Sequence, residues 1–318
     1  MLKFSNTIKR NKVPLVILLV MIFLPLIIES GYILNLIILY MMWAVLGVSW
    51  NLLGGYTGPC SFGHAAFFGV GAYTACLLHT KLGVSLWLGF IFAGIAATLI
   101  SIPIGIICFR LRGVYFALSV LALSEVLRLI TLHWKSFTEG AVGILLLSSV
   151  MKTKIGYYYL ILALAVFTLL AISYVIRTRA GFYFIAIRED EDAAQSLGIF
   201  TSRYKLLALG ISAFFTGVMG SFFANYTIFI DPYIVFSIGD LSIAIVLVVV
   251  LGGIGTFWGP VVGAMVVVMV SELFRVFLSE AHVLVYGALI ILVVMFLPEG
   301  IVGGIGTLRH RLSIGKRG

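Results

Sequence analysis

Two i,i+3 pairs carry much of the chemistry-bearing potential in an otherwise apolar chain: Glu125 and Arg128 in "SEVLR", and Glu272 and Arg275 in "SELFR". At that spacing an acid and a base meet on one helix face. Ionisable residues at membrane depth are functional candidates by default. Here each acid has its own base, so the pairs read as self-neutralised charges near the outer ends of their spans, with Arg reaching toward the interface. His64 has no ionisable neighbour in sequence and reads as a packing or hydrogen-bonding group. The five histidines form no H-E-x-x-H pattern. Cys60, Cys76 and Cys108 form no C-x-x-C pair and read as small packing residues. No two acids fall mid-span on neighbouring segments, as a proton relay needs, and no motif gathers the scattered Ser, His and Asp into a catalytic set. There is no G-x-x-x-x-G-K-[ST] phosphate loop either. The expectation is no catalytic residue, no cofactor and no metal, with any energy for uphill movement supplied from outside the chain.

A second kind of feature is backbone rather than side chain. Two glycine clusters interrupt the apolar runs: "LLGGYTGPCSFGHAAFFGVGAY" from Leu52 and "VLGGIGTFWGPVVGAM" from Val250. Each has a Gly-Gly near its start and then reaches a Gly-Pro, at different spacings, as a faint internal repeat. Gly-Pro removes a donor and interrupts a helix. Non-helical backbone at membrane depth survives only where protein buries it or where it lines a cavity. Paired broken segments in two halves of a chain point to a translocation pathway. Gly58, Pro59, Ser61, Gly63, His64, Gly252, Gly253 and Gly259 are therefore candidate pathway-lining residues. Two tight turns between spans are the alternative.

The elements that must hold these residues follow from composition. The 318 residues are 62% hydrophobic and only 10% charged. Apolar runs fall at about 14–28, 33–53, 64–80, 84–108, 114–130, 155–176, 205–228, 238–252, 260–277 and 283–297, each near the roughly 20 residues a helix needs to cross a bilayer. The expected fold is all-α: one polytopic transmembrane bundle over residues 1–318, with about ten spans (eight to ten). The basic start and first apolar run lack an A-x-A-like cleavage site and read as an uncleaved first span. With the N-terminus inside, fifteen of the 21 Lys and Arg fall in inner segments and four in outer loops, Arg128 and Arg275 lying near span ends. That bias places both termini in the cytoplasm. The net charge of +9 has the same origin, and no basic patch interleaved with aromatics suggests nucleic acid.

On this topology the largest inner loop is "RTRAGFYFIAIREDEDAAQSLGIFTSRYK", Arg177 to Lys205. Within it "REDEDAAQSLG" reads as a short helix: acids favour the positive end of its dipole, Ala-Ala-Gln forms helix, and Gly198 ends it. Arg177, Arg179, Arg203 and Lys205 read as anchors at its ends.

Taken together, four strings resemble the permease subunits of ATP-binding-cassette importers for branched-chain amino acids, of the LivM type. They are "GYTGPCSFGHAAFFGVGAYTA", "RGVYFALSVLALSEVLRL", "TRAGFYFIAIREDEDAAQSLGI" and "GGIGTFWGPVVGA". The resemblance runs from about Leu34 to Gly304. It implies a cytoplasmic coupling loop, 177–204, whose pattern E-A-A-x-x-x-G docks on an ATPase. Asp192, Ala193, Ala194 and Gly198 match that pattern, Asp standing for Glu, with Glu191 beside them. The first glycine string departs from the family at Pro59, Cys60 and Ser61, where Gln-Leu-Ser or similar is usual. The implied partners are a second, homologous permease, two P-loop ATPases at the cytoplasmic face, an extracytoplasmic amino-acid-binding protein, and membrane lipid. The implied location is the cell membrane, crossed many times. Urea or short-amide permeases of the same superfamily are the alternative, and an ion-coupled secondary transporter is a more distant one.

Overall fold

The computed structural model describes residues 13–28, 30–277 and 300–303. Its helices are α1 (Val13–Ile27), α2 (Gly31–Asn51), α3 (His64–Leu82), α4 (Leu86–Cys108), α5 (Val114–His133), α6 (Lys135–Thr138), α7 (Lys154–Arg177), α8 (Arg179–Glu189), α9 (Glu191–Ser196), α10 (Thr201–Thr227), α11 (Pro232–Val235), α12 (Ala244–Gly252) and α13 (Gly259–Phe277). Helix is what apolar runs adopt in lipid, because every backbone polar group must find its partner within the segment. Pro25 in α1 and Pro103 in α4 are accommodated inside their helices. Gly83 closes α3 in the left-handed conformation, its N–H donating to His79 O. Thr153 opens α7 by accepting from Gly156 N at 3.2 Å.

Nine of the ten expected apolar runs fall on described helices; the tenth, 283–297, lies outside the described residues, as do both termini. Among the described residues six helices are long and apolar enough to cross a membrane: Gly31–Thr57, Leu86–Cys108, Val114–His133, Lys154–Arg177, Thr201–Thr227 and Pro232–Gly252. The helix α3 is not among them, since its 19 residues include His64, His79 and Lys81. In two of the six, α-helix continues as a π-helical turn: Leu52–Thr57 extends α2, and Ile238–Ile243 leads into α12. Such turns mark functional sites in many helical proteins. The all-α expectation gains one detail. Two-residue strands β1 (Ile144–Leu145) and β2 (Phe229–Ile230) pair antiparallel, Ile144 opposite Ile230.

The helices α3, α4 and α10 pack backbone to backbone. A methyl group added at Gly71 would lie 2.1 Å from Gly217 O, and one at Gly220 would lie 2.0 Å from Phe68 O. One at Gly217 would lie 2.5 Å from Ala97 Cβ. Small residues permit this approach, and dispersion over the close surfaces holds membrane helices together where lipid offers no hydrophobic drive. Around the seam pack Phe67, Phe68 and Phe222, all fully buried. On the outer side of α4, Ile91, Ile95, Leu99, Ile102 and Ile106 are exposed at helical spacing, an apolar stripe suited to lipid or to another membrane helix.

Candidate functional site

The charged loop is two helices rather than one. The run expected to be a single helix breaks at Asp190, which is extended (φ −157°, ψ 110°) and caps α9 by accepting from Ala193 N at 2.9 Å. An aspartate that satisfies a free N–H in this way starts a new helix. Gly198 ends α9 as expected. At φ +83°, it lets Ile199 N donate to Ala194 O at 3.1 Å and its own N–H to Gln195 O at 2.9 Å, the paired bonds of a Schellman cap.

The five candidate coupling residues have different surroundings. Glu191 is tied to Lys205 at 2.5 Å. Lys205 is buried, so it anchors α9 onto α10 instead of serving as a solvated end charge. Asp192 accepts two bonds from Arg112, at 2.7 and 3.0 Å. Those bonds, with the charge behind them, hold the Asp192 carboxyl below its ordinary value and raise the Arg112 guanidinium. Ala194 is buried against its own chain, whereas Ala193 is exposed. Gly198 has open space where a side chain would go. Beside it Leu197 and Phe200 are 83% and 65% exposed. These two apolar residues were not singled out from sequence. The available signal was their place on either side of the helix-ending glycine.

The glycine clusters come together. Asn51, the last residue of α2, donates through Nδ2 to Thr256 O at 2.8 Å, and its Oδ1 accepts from Gly255 N at 2.9 Å. A methyl group on Gly55 would lie 2.6 Å from Gly255 N. From α8, Arg188 Nη1 donates to Gly55 O at 3.0 Å. Neither Asn51 nor Arg188 was among the sequence candidates; a lone Asn inside an apolar run was the available sign. Within the second cluster Gly252 and Gly259 form a close turn between α12 and α13, a methyl on Gly252 falling 1.8 Å from Gly259 O.

In the first cluster Gly54 makes room for the Trp50 indole, whose Nε1 donates to Ser61 O at 2.6 Å. Gly58 (φ +107°) and Pro59 lie at the partly exposed exit of the π turn, and Gly63 precedes α3 against Val120. His64 is fully buried, with Phe67 edge-on to its ring at 5.6 Å between centroids. Its Nε2 meets Ser212 Oγ at 2.7 Å, and that hydroxyl donates to Ser49 O at 2.6 Å. Because Ser212 has one hydrogen, Nε2 must carry the proton in this contact. His64 is therefore a hydrogen-bonding link between α2, α3 and α10, and its Nδ1 has no hydrogen-bond partner among the described residues. No group of three or more His, Cys, Asp or Glu suited to a metal occurs among the described residues.

Glu125 and Arg128 form the expected pair, with Arg128 Nε donating to both carboxylate oxygens at 2.9 and 3.0 Å. Arg128 also lies 5.3 Å from the centroid of the Tyr233 ring. Glu272 accepts from Tyr32 Oη. Arg275 lies in α13, but its side chain, and so its expected pairing with Glu272, is outside the described residues.

Residues 32–294 match the family described as branched-chain amino acid transport system / permease component. The chain belongs to that permease family. The permease is 28% identical to the high-affinity branched-chain amino acid transport system permease protein LivM of Salmonella typhimurium, and 29% identical to LivM of Escherichia coli. Each alignment covers 93% of this chain and 76% of the relative. It is also 27% identical to the permease protein LivH of Salmonella typhimurium, over 82% of this chain and 91% of that one. No solved structure matches the permease.

Proposed function

We propose that this permease is the membrane subunit through which an ATP-binding-cassette importer moves branched-chain amino acids. The family match over residues 32–294 carries the reading. The six long apolar helices accord with a multi-pass inner-membrane protein. In the full proposal ten spans put both termini and the α8–α9 loop on the cytoplasmic side. A second permease completes the pathway, two P-loop ATPases bind below, and an extracytoplasmic binding protein delivers the amino acid. The helix α9 is the coupling helix. The exposed face made by Ala193, Leu197 and Phe200 supports this role, because surface apolar residues beside a polar rim suit a protein partner. Glu191, Asp192 and Ala194 hold that face in place from within the permease. The joined glycine clusters line or gate the pathway, as their buried, non-α backbone at the end of α2 suggests.

Uptake of radiolabelled leucine, isoleucine and valine tests this directly. The strain should lack its own branched-chain importers and carry the permease with its cognate partners. ATP-dependent uptake that requires the permease is expected. Uptake of urea or acetamide in place of these amino acids would move the assignment to the short-amide permeases. Uptake that survived loss of the ATPases and collapsed with an ionophore would overturn the ATP-driven reading.

A further inference from the structure

Three segments far apart in sequence meet at Arg188, near the end of α8. Its Nη1 donates to Gly55 O in the π turn of the first glycine cluster at 3.0 Å. Its Nε and Nη2 donate to Glu189 Oε1 at 3.2 and 2.6 Å. The second cluster makes space for it, since a methyl group on Gly255 would lie 2.6 Å from Nη1. Gly58 packs on its stem: a methyl there would lie 3.5 Å from both the Cα and the Cγ of Arg188. Asn51 then binds the backbone of Gly255 and Thr256, so the two clusters form one unit.

The chemistry favours arginine at this junction. A carbonyl near the end of a helical turn has lost its regular intrahelical partner. A charged donor makes a stronger bond to it than a neutral one does. The planar guanidinium can hold Gly55 O with one nitrogen and Glu189 with the others, whereas a lysine ammonium lacks that fixed fork. The same side chain belongs to α8, and α9 follows it after the single extended residue Asp190.

We propose that Arg188 is the positioning residue that passes displacement of α8 and α9 to the joined glycine breaks. The proposal rests on the reading of α9 as the coupling helix. Arg188 itself contacts no substrate in it; the residue sets where the π turn and the Gly255 turn lie when the loop moves.

The test uses the complete importer, with both permeases, both ATPases and the binding protein, in proteoliposomes. ATPase co-purification, ATP hydrolysis and leucine uptake are measured for R188A and R188K. For R188A, co-purification should be normal and hydrolysis should stay within about twofold, while uptake per ATP falls about tenfold, the size of an ordinary coupling free energy. R188K should recover part of the ratio. An unchanged ratio in R188A, or a parallel fall in hydrolysis and uptake, overturns the proposal. If R188A does not assemble, R188M keeps the stem that packs on Gly58 and removes the donors to Gly55 O; the same fall in ratio is expected, and an unchanged ratio overturns the proposal. Failure of the coupling-helix reading has a separate signature: G198V would then leave ATPase binding and uptake intact whatever Arg188 does.

Discussion

At Gly198 the constraint is conformational rather than steric. The position has φ +83° and open space around the missing side chain. A β-branched residue held left-handed costs about 1–2 kcal/mol, whereas Asn tolerates that region. G198V should therefore lower ATPase co-purification and uptake by roughly 5–30-fold, while G198N keeps more of both. Charge at the same loop divides into two cases. Glu191 and Lys205 form a largely buried pair, with side chains 24% and 6% exposed. Removing one partner of such a pair strands the other, at about 3–5 kcal/mol. E191Q alone should lower the thermal midpoint of the detergent-solubilised permease more than E191Q/K205M does. Asp192 and Arg112 are exposed, and the Asp192 carboxyl is held below its usual value chiefly by the Arg112 hydrogen bonds. A depressed value stabilises the folded state above the unfolded carboxyl value of about 3.9 and is lost only as pH falls through the lower folded one. Uptake by D192N and by the unaltered protein should thus run parallel from pH 5 to 8; a step confined to the unaltered protein would contradict this.

Between elements, the informative link is Asn51. It joins the end of α2 to the turn between α12 and α13, some two hundred residues later, through two bonds to backbone. N51A leaves the Gly255 N–H and the Thr256 carbonyl without that partner, a cost of about 1–3 kcal/mol. It should reduce thermal stability by that order, and more than alanine at an exposed polar position such as Ser196. The elements themselves were largely legible. Hydrophobic runs marked the helices because lipid leaves the backbone no alternative, and Gly198 marked the end of α9. The break at Asp190 was not legible, because an aspartate among "REDED" reads equally well as a first-turn acid or as a cap. The burial of Ala194 and Lys205 was hidden as well. The motif D-A-A-x-x-x-G says which residues recur, not which face of a six-residue helix turns inward. The meeting of the two glycine clusters is a long-range contact, which a faint repeat with unequal spacing does not encode.

For the molecule as a whole, orientation is the property most open to direct test. The proposed topology, with fifteen inner against four outer basic residues, has the α8–α9 loop in the cytoplasm and the segment between α5 and α7 outside. In a background with Cys60, Cys76 and Cys108 replaced by Ser, a cysteine at Gln195 should react with a membrane-impermeant maleimide only in inverted vesicles. One at Leu147, which is 94% exposed, should react in intact cells. The reverse pattern would invert the topology and remove α9 from the reach of any cytoplasmic ATPase. The glycine seam among α3, α4 and α10 bears on how such a molecule is made. Gly71 and Gly217 touch backbone to backbone, yet a ribosome adding roughly 5–20 residues per second needs about 7–30 seconds to travel from one to the other. During that interval α3 and α4 exist without the helix whose backbone they pack against. Closure of this seam waits on α10, so the charged loop that precedes α10 emerges from the ribosome before the helix that closes the seam.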